Sequence, residues 1–155
     1  MNISIKPYTS EQAQQIKDLF HELQLHEHQF DDKKSLDAQD EVEYLQELLQ
    51  TVAEKSGEVL VAVQDRVCVG FIAWYLENEP EFSQPYGYIS VIVVSQHYRG
   101  KGIGQQMFDL AIAHIRETSV KRIHIGCLLE NTDTKKFYEK NGFADYCVEM
   151  VLDLE

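Results

Sequence analysis

Apolar side chains recur along this chain with a period of two in some stretches and of three to four in others, which is typical of mixed strands and helices. Strands are predicted at residues 2–7, 59–63, 67–75, 87–94, 122–127 and 143–152. Helices are predicted from Thr9 or Ser10 to about residue 25, from Asp37 to about Lys55, at 102–118 and at 132–140. The order β-α-α-β-β-β-α-β-α-β predicts an α+β (mixed α/β) fold, in which helices flank one mostly antiparallel, twisted sheet.

The length of 155 residues predicts a single domain over residues 1–155. No apolar run approaches the roughly 20 residues that cross a bilayer, so no membrane association is expected. The first seven residues hold no long apolar stretch, and no secretory signal is expected. Cys68, Cys127 and Cys147 form no Cys-x-x-Cys pair and fall in predicted strands, which favours buried free thiols and a cytoplasmic location.

The chain has a formal net charge of −12, from 26 acidic and 14 basic residues. A nucleic-acid partner is not expected, because phosphate backbones need a basic face. The negative field suits a cationic ligand. An acidic surface that serves only solubility explains the same charge equally well.

The glycine-rich segment Arg99-Gly-Lys-Gly-Ile-Gly104 lies between a predicted strand and a predicted helix. Such a loop points free backbone N–H groups at one place, and the helix N-terminus adds partial positive charge there, so the segment predicts a phosphate site. It is not a P-loop, because Gly100-Lys101 is followed by glycine rather than Ser or Thr. It is not a dinucleotide fingerprint either, because the sixth position is Gln105 or Met107 rather than glycine.

A second motif, Asn131-Thr-Asp-Thr-Lys-Lys-Phe-Tyr-Glu-Lys-Asn-Gly-Phe143, follows after a helix and a strand. Together the two segments resemble the acyl-CoA loop and the second motif of the GCN5-related N-acetyltransferase (GNAT) family, and they cover residues 88–143 directly. The resemblance implies the family's fold, with acetyl-CoA as acyl donor and no metal. In that fold the central strand and the strand after the long helix splay apart, and the pantetheine arm lies between them.

The resemblance also implies which residues bind the cofactor. The main chain of the central strand would pair with pantetheine, and an N–H of Val93 or Val94 would polarise the thioester carbonyl. The implied cofactor-binding residues are Ile92, Val93, Val94, Arg99, Gly100, Lys101, Gly102, Ile103, Gly104, Gln105 and Asn131. Asn131 is equally well explained as a helix cap. Tyr138 is the implied catalytic residue, as the proton donor to the leaving thiolate, although a tyrosine packed on the sheet would look the same in sequence.

The general base is left open by the sequence. Many family members carry a glutamate near the position of Ser90, and this chain has Tyr88-Ile-Ser-Val there. The candidates are Glu77, Glu79, Glu81, His97 or a water chain. In the resembled family the first helices wall the acceptor site, which makes Phe20, Phe30 and Tyr44, and the acids near them, candidate contacts. Trp74 and Tyr75 are better explained as core. His21, His26 and His28 lack the spacing of a metal site and indicate a solvated helix end.

The expected function is acetyl transfer from acetyl-CoA to a primary amine, directly in a ternary complex. A cationic small molecule such as a polyamine, an aminoglycoside or an amino-acid derivative is the expected acceptor. The alternatives are a catalytically weak acyl-CoA-binding or sensing module, which the missing glutamate favours, an acetyltransferase of protein amino groups, and a phosphate-binding domain unrelated to CoA. The use of other acyl groups stays open, and the last predicted strand allows a homodimer.

Overall fold

Five strands form one sheet in the computed structural model, which describes residues 2–155. The strands are β1 (Ile3–Pro7), β2 (Glu58–Gln64), β3 (Val67–Glu77), β4 (Tyr86–Val94) and β5 (Ile123–Ile125). The α-helices are α1 (Ala13–His28), α2 (Ala38–Glu54), α3 (Ile103–Glu117) and α4 (Thr132–Lys140), with short 3₁₀ turns at Ser10–Gln12 and Gln96–Tyr98. None of the helices within these residues is long and apolar enough to cross a membrane.

The sheet keeps the strands in chain order, β1-β2-β3-β4-β5. The first four are antiparallel neighbours, and β5 runs parallel to β4 because α3 carries the chain back across the sheet. Asp65 and Arg66 close the β2–β3 hairpin with φ values of 51° and 68°, the left-handed conformation that a tight turn between strands requires. The predicted mixed fold with a mostly antiparallel sheet is confirmed.

Each face of the sheet is covered by its own pair of helices. One cluster of buried side chains joins α1 and α2 to Phe71, Ala73, Val91 and Val93 of the central strands. The other joins α3 and Tyr138 of α4 to Ile72, Trp74 and Ile89. The core is therefore divided in two by the sheet, and the helices that precede and follow β4 lie on opposite sides of it.

A β-bulge interrupts β4 at Ser90. Val91 lies opposite Ala73 and Ile89 opposite Trp74, so Ser90 has no partner residue of its own on β3. Ile89 and Val91, two positions apart, consequently pack into the two different core clusters. From Val91 onward, the odd-numbered side chains of β4 therefore point to the face of the sheet opposite the one that Ile89 points to.

The prediction of a last strand at residues 143–152 is wrong for a single copy of the chain. Residues 143–155 have no regular secondary structure, and from Ala144 onward every side chain is exposed. Only the start of this segment is docked, through an ion pair of 3.2 Å between Asp145 and Lys135 and through Tyr146, whose ring lies against His124. A strand needs a hydrogen-bonding neighbour, and β5 is only three residues long, shorter than the predicted 122–127.

The three cysteines are free, but only Cys68 is buried. Cys127 and Cys147 are exposed, contrary to the prediction, because β5 ends before Cys127 and Cys147 lies in the segment that forms no strand.

Candidate active site

A cleft opens where β4 and β5 diverge. The two strands pair only from Gly87 to Ile89, so the β5-facing edge of residues 90–94 is left without a neighbouring strand. The cleft has a volume of about 910 Å³ and extends from the start of α3 to the facing sides of α1 and α2. An open strand edge of this kind offers N–H and C=O groups to an extended ligand. The divergence that the family resemblance implied is therefore present.

The glycine loop closes one end of the cleft. Gly100 and Gly102 have φ values of +76° and +80°, which residues with a Cβ adopt only under strain. Gly102 is the N-cap of α3 and provides no side-chain cap, so the first N–H groups of the helix keep their hydrogen-bonding capacity. The Nε of Arg99 donates to the carbonyl oxygen of Val94 at 2.9 Å, which holds the guanidinium at the mouth of the loop.

Tyr138 of α4 lines the cleft. Its side chain is packed among Phe108, Phe137 and Phe143, and only 7% of the residue is exposed. Burial raises the pKa of the Tyr138 phenol well above its usual range, and the nearby Cys127 and Glu27 raise it further. The phenol therefore stays protonated throughout the physiological range and keeps an O–H with which to donate.

Several of the predicted cofactor residues do line the cleft, namely Ile92, Val93, Val94, Arg99, Gly100, Gly104 and Asn131. Asn131 is buried and caps α4 by accepting from the N–H of Thr134 at 3.4 Å, so the predicted cap is present at the same position. Lys101, Gly102, Ile103 and Gln105 are not among the lining residues.

Gly102 has no side chain, and the side chains of the other three residues contact other parts of the protein. Ile103 is in the core, and Lys101 lies 5.5 Å from the ring of Tyr98. The amide of Gln105 donates to Asp109 at 2.8 Å and to Asn141 at 2.6 Å, and thereby ties α3 to the end of α4. Any contact of these positions with a ligand would be made by their backbone.

The other end of the cleft is aromatic and acidic. Phe20 of α1 and Tyr44 of α2 stack with their ring centroids 4.6 Å apart. Three carboxylates from these helices line the same end, those of Glu27, Asp40 and Glu41. Lys34 places its ammonium 3.2 Å from the carboxylate of Glu27. The cleft thus already accommodates an alkyl ammonium against a carboxylate.

The four named candidates for the general base all lie outside the cleft. None of Glu77, Glu79, Glu81 and His97 is among the described residues that line it. Glu77 pairs with Lys55 at 2.7 Å, and Glu79 accepts a hydrogen bond of 2.6 Å from the hydroxyl of Tyr86. The sequence pointed to the acids near Phe20, Phe30 and Tyr44 as substrate contacts but did not single out Glu27 or Glu41, because which acids reach the cleft depends on the packing of α1 against α2.

Only some of the residues that were expected to contact the substrate line the cleft. Phe20 and Tyr44 line the cleft, Phe30 does not, and Trp74 and Tyr75 pack into the two core clusters as expected. The histidines of α1 hold neighbouring elements. His21 lies 2.9 Å from Glu41 of α2, and the Nδ1 atom of His28 lies 2.9 Å from the carbonyl oxygen of Lys34. Across residues 2–155, no three His, Cys, Asp or Glu side chains are placed to hold a metal ion.

Comparison with known proteins gives a family match over most of the chain. The model of the "Acetyltransferase (GNAT) family" matches residues 18–143. A mycothiol acetyltransferase of Corynebacterium glutamicum is 30% identical over 90 residues, which are 58% of this chain and 29% of that protein. The chain therefore spans less than a third of that relative's length. A glucosamine 6-phosphate N-acetyltransferase of Arabidopsis thaliana is 30% identical over 64 residues, 41% of each chain.

A solved structure agrees along the whole length. The BH1408 protein of Bacillus halodurans superposes with a TM-score of 0.80 at 23% identity, over 98% of this chain and 99% of that one. At this level of identity the likeness shows the fold.

Proposed function

Because this chain belongs to the GNAT family of acetyltransferases, we propose that it transfers the acetyl group of acetyl-CoA to the primary amine of a cationic small molecule. The observation that carries the proposal is the cleft itself. One end offers an open strand edge and a glycine loop, the other offers three carboxylates, and Tyr138 lies between them.

Acetyl-CoA fits the first end. Its pantetheine arm carries amide groups that can pair with the free N–H and C=O groups of residues 90–94, and its pyrophosphate suits the N-terminus of α3. Arg99 adds formal positive charge at the loop, and the positive φ of Gly100 turns the backbone there without a side chain in the way. When bound, the cofactor supplies an activated acetyl group as a thioester.

A cationic amine fits the second end. Glu27, Asp40 and Glu41 supply negative charge there, and the stacked rings of Phe20 and Tyr44 supply an apolar wall. The contact between Lys34 and Glu27 places a primary ammonium inside the cleft. An acceptor amine has the same chemistry as this lysine head group and would take its place.

The amine must lose a proton before it attacks, since an alkyl amine has a pKa of about 10.4. We propose that the carboxylate of Glu27 accepts this proton, directly or through one water. Glu27 lines the same cleft as Tyr138, and its charge contributes to the raised pKa of the Tyr138 phenol, which supports this assignment. Ser90, at the position where many family members carry the base, lines the same cleft but has no basic group.

The remaining steps use Tyr138 and the backbone of β4. The amine nitrogen would bond to the acetyl carbon, an N–H of Val93 or Val94 would stabilise the oxyanion, and the nitrogen would release its second proton to water. As the carbon–sulfur bond breaks, the phenol of Tyr138 would donate a hydrogen bond to the departing thiolate. Because the pKa of Tyr138 is raised far above the value of about 8.5 for a thiol, the phenol stabilises the thiolate as a donor, and the final proton comes from solvent.

Thiol release from acetyl-CoA tests the proposal when it is measured against spermidine, an aminoglycoside, free amino acids, a lysine peptide and glucosamine 6-phosphate. Polycationic amines are expected to give the highest kcat/KM, and the phosphate-bearing amine the lowest, because the acceptor end of the cleft is acidic. Equal turnover of cationic and anionic amines would refute the charge selection.

Binding of acetyl-CoA, measured by calorimetry, separates the alternatives. Tight binding with no turnover of any amine would replace the enzyme by an acyl-CoA-binding module, the reading that Ser90 in place of a glutamate favours. Turnover of the lysine peptide alone would indicate a protein amino group as the acceptor.

A further inference from the structure

A free thiol lies on the β5 side of the cleft. Cys127 comes just after the end of β5, lines the cleft and is exposed. β5 runs parallel to β4, and the last residues that pair are Ile125 and Ile89. The same register, carried past this pair, brings Cys127 level with Val91, across the gap in which the two strands diverge. The mechanism proposed above gives this thiol no role.

The sulfur of CoA would reach the same level of the cleft. The pyrophosphate suits the N-terminus of α3, and the open edge of residues 90–94 leads from that loop back toward Ser90. The sulfur is at the opposite end of the pantetheine arm from the pyrophosphate. An arm paired with this edge therefore brings the sulfur to its inner end, beside Val91. Placing the sulfur there rests on the proposed function, since it assumes acetyl-CoA at the glycine loop.

A buried hydroxyl independently indicates a ligand atom at this place. Only 7% of Tyr138 is exposed, and the residue lines the cleft. Within residues 2–155 no group makes a hydrogen bond to its hydroxyl, which is therefore available to a ligand. Among charged groups, a Cys127 thiolate contributes most to the raised pKa of this phenol. The thiol and the hydroxyl therefore serve the same part of the cleft.

We propose that Cys127 forms a mixed disulfide with CoA held in this cleft, and that this bond switches the enzyme off reversibly. The co-reactant is a disulfide of CoA. The Cys127 thiolate attacks the sulfur of the bound CoA half, and the S–S bond of the CoA disulfide breaks. The second CoA leaves as a thiolate and takes up the proton that Cys127 lost, so no further oxidant is needed. The adduct excludes acetyl-CoA until a reductant restores both thiols.

The environment of Cys127 makes this reaction selective for disulfides that bind the cleft. Partial burial raises the pKa of the thiol, and Asp145 and Glu139 raise it further, whereas Lys135 acts against them. Because the thiolate is the attacking form, disulfides that only collide with the protein react slowly at neutral pH. A CoA half bound in the cleft holds its S–S bond beside the thiol and offsets this slow reaction.

Intact-mass spectrometry of the full chain with CoA disulfide tests the proposal. The wild-type protein should gain the mass of a single CoA, lose thiol-releasing activity in proportion to the adduct, and recover it with dithiothreitol. Acetyl-CoA at about ten times its Kd should slow adduct formation about tenfold, because it occupies the same site. Glutathione disulfide at the same concentration should give little adduct, since it lacks the groups that bind the cleft.

A second exposed cysteine provides the matched control. Cys147 is also free and exposed, but it is not among the described residues that line the cleft. Cys127→Ser should abolish the CoA adduct, whereas Cys147→Ser should form it at the wild-type rate. Peptide mapping of the wild-type adduct should find the added mass on Cys127.

The possible failures are distinguishable from one another. Equal modification of Cys127 and Cys147, or equal reaction with glutathione disulfide, would mean general reactivity of exposed thiols and overturn the proposal. Acetyl-CoA binding by calorimetry without any adduct would overturn it and leave the proposed acetyl transfer intact. No binding of acetyl-CoA would remove both. An adduct on Cys127 in a protein that acetylates no amine would support the disulfide and refute acetyl transfer alone.

Discussion

Replacing Tyr138 by phenylalanine removes a single hydroxyl, the group that we propose donates a hydrogen bond to the leaving thiolate. The aromatic ring keeps its contacts with Phe108 and Phe143, so the packing of α4 on α3 is preserved. A hydrogen bond to a charged group contributes about 1.5–3 kcal/mol. At 1.36 kcal/mol for each factor of ten, its loss lowers kcat by roughly 10- to 150-fold. The free energy of unfolding should change by less than about 1 kcal/mol, because no core volume is removed.

Steady-state thiol release with saturating amine gives kcat and KM for acetyl-CoA separately. KM should change little, because the hydroxyl acts on the thiolate, which forms only in the transition state. The wild-type rate should also show no decline from pH 7 to about 10. The raised pKa keeps the Tyr138 phenol protonated over that range, so the donor is lost only at higher pH.

Tyr86→Phe is the matched control. Tyr86 is also buried, with 6% of the residue exposed, but it lies outside the cleft and donates a hydrogen bond of 2.6 Å to Glu79. This variant should lose about 1 kcal/mol of stability and keep its kcat, the reverse of the Tyr138 result. A Tyr138→Phe enzyme within threefold of wild-type kcat, with an unchanged melting temperature, would remove Tyr138 from the mechanism.

Other positions give further predictions. Glu27→Gln should lower kcat/KM by about 10²–10³, the size of a lost general base, while Asp18→Asn on the exposed side of the same helix should have no effect. Adding Ser90→Glu to Glu27→Gln should recover part of the rate, and a double variant no faster than Glu27→Gln would argue against a proton-transfer role. Gly57→Ala should destabilise the fold by about 2 kcal/mol or more, because its Cβ would overlap a carbonyl oxygen of β3. Gly126→Ala, with open space around the added atom, should cost less than about 1 kcal/mol, and equal melting temperatures for the two variants would show that β3 relaxes.

The helices and the first four strands were predictable because each carries its own periodic signal. The predicted helices at Asp37 to Lys55 and at 132–140 agree with α2 and α4 to within a residue or two, and Asp37 is the N-cap of α2. The predicted strand at residues 143–152 has the same alternation of apolar side chains, yet these residues form no strand. Periodicity shows that a segment can be a strand, whereas a strand also requires a free neighbouring edge in the right direction.

The sequence predicted many of the residues that line the glycine-loop end of the cleft and, at the other end, Phe20 and Tyr44, but it did not single out the carboxylates there. The glycine loop and the Asn131–Phe143 motif are local sequences whose residues stay together when the chain folds. Glu27 and Glu41 come from two helices, and their approach to β4 depends on how those helices pack. The Lys55–Glu77 and Tyr86–Glu79 contacts likewise occupy two of the predicted bases for reasons that arise only from tertiary structure.

The bulge at Ser90 constrains how this sequence can change over evolutionary time. Because it exchanges the faces of β4, Ile89 before it packs into the core on the α3 side, whereas Val91 and Val93 beyond it pack into the core on the α1–α2 side. Substitutions along the strand are tolerated one at a time, according to size and polarity. Loss or gain of a single residue at this point would move Val91 and Val93 to the α3 side and rebuild both cores at once. Descendants of this protein can therefore vary the composition of their central strand, but its length at the cleft is inherited unchanged.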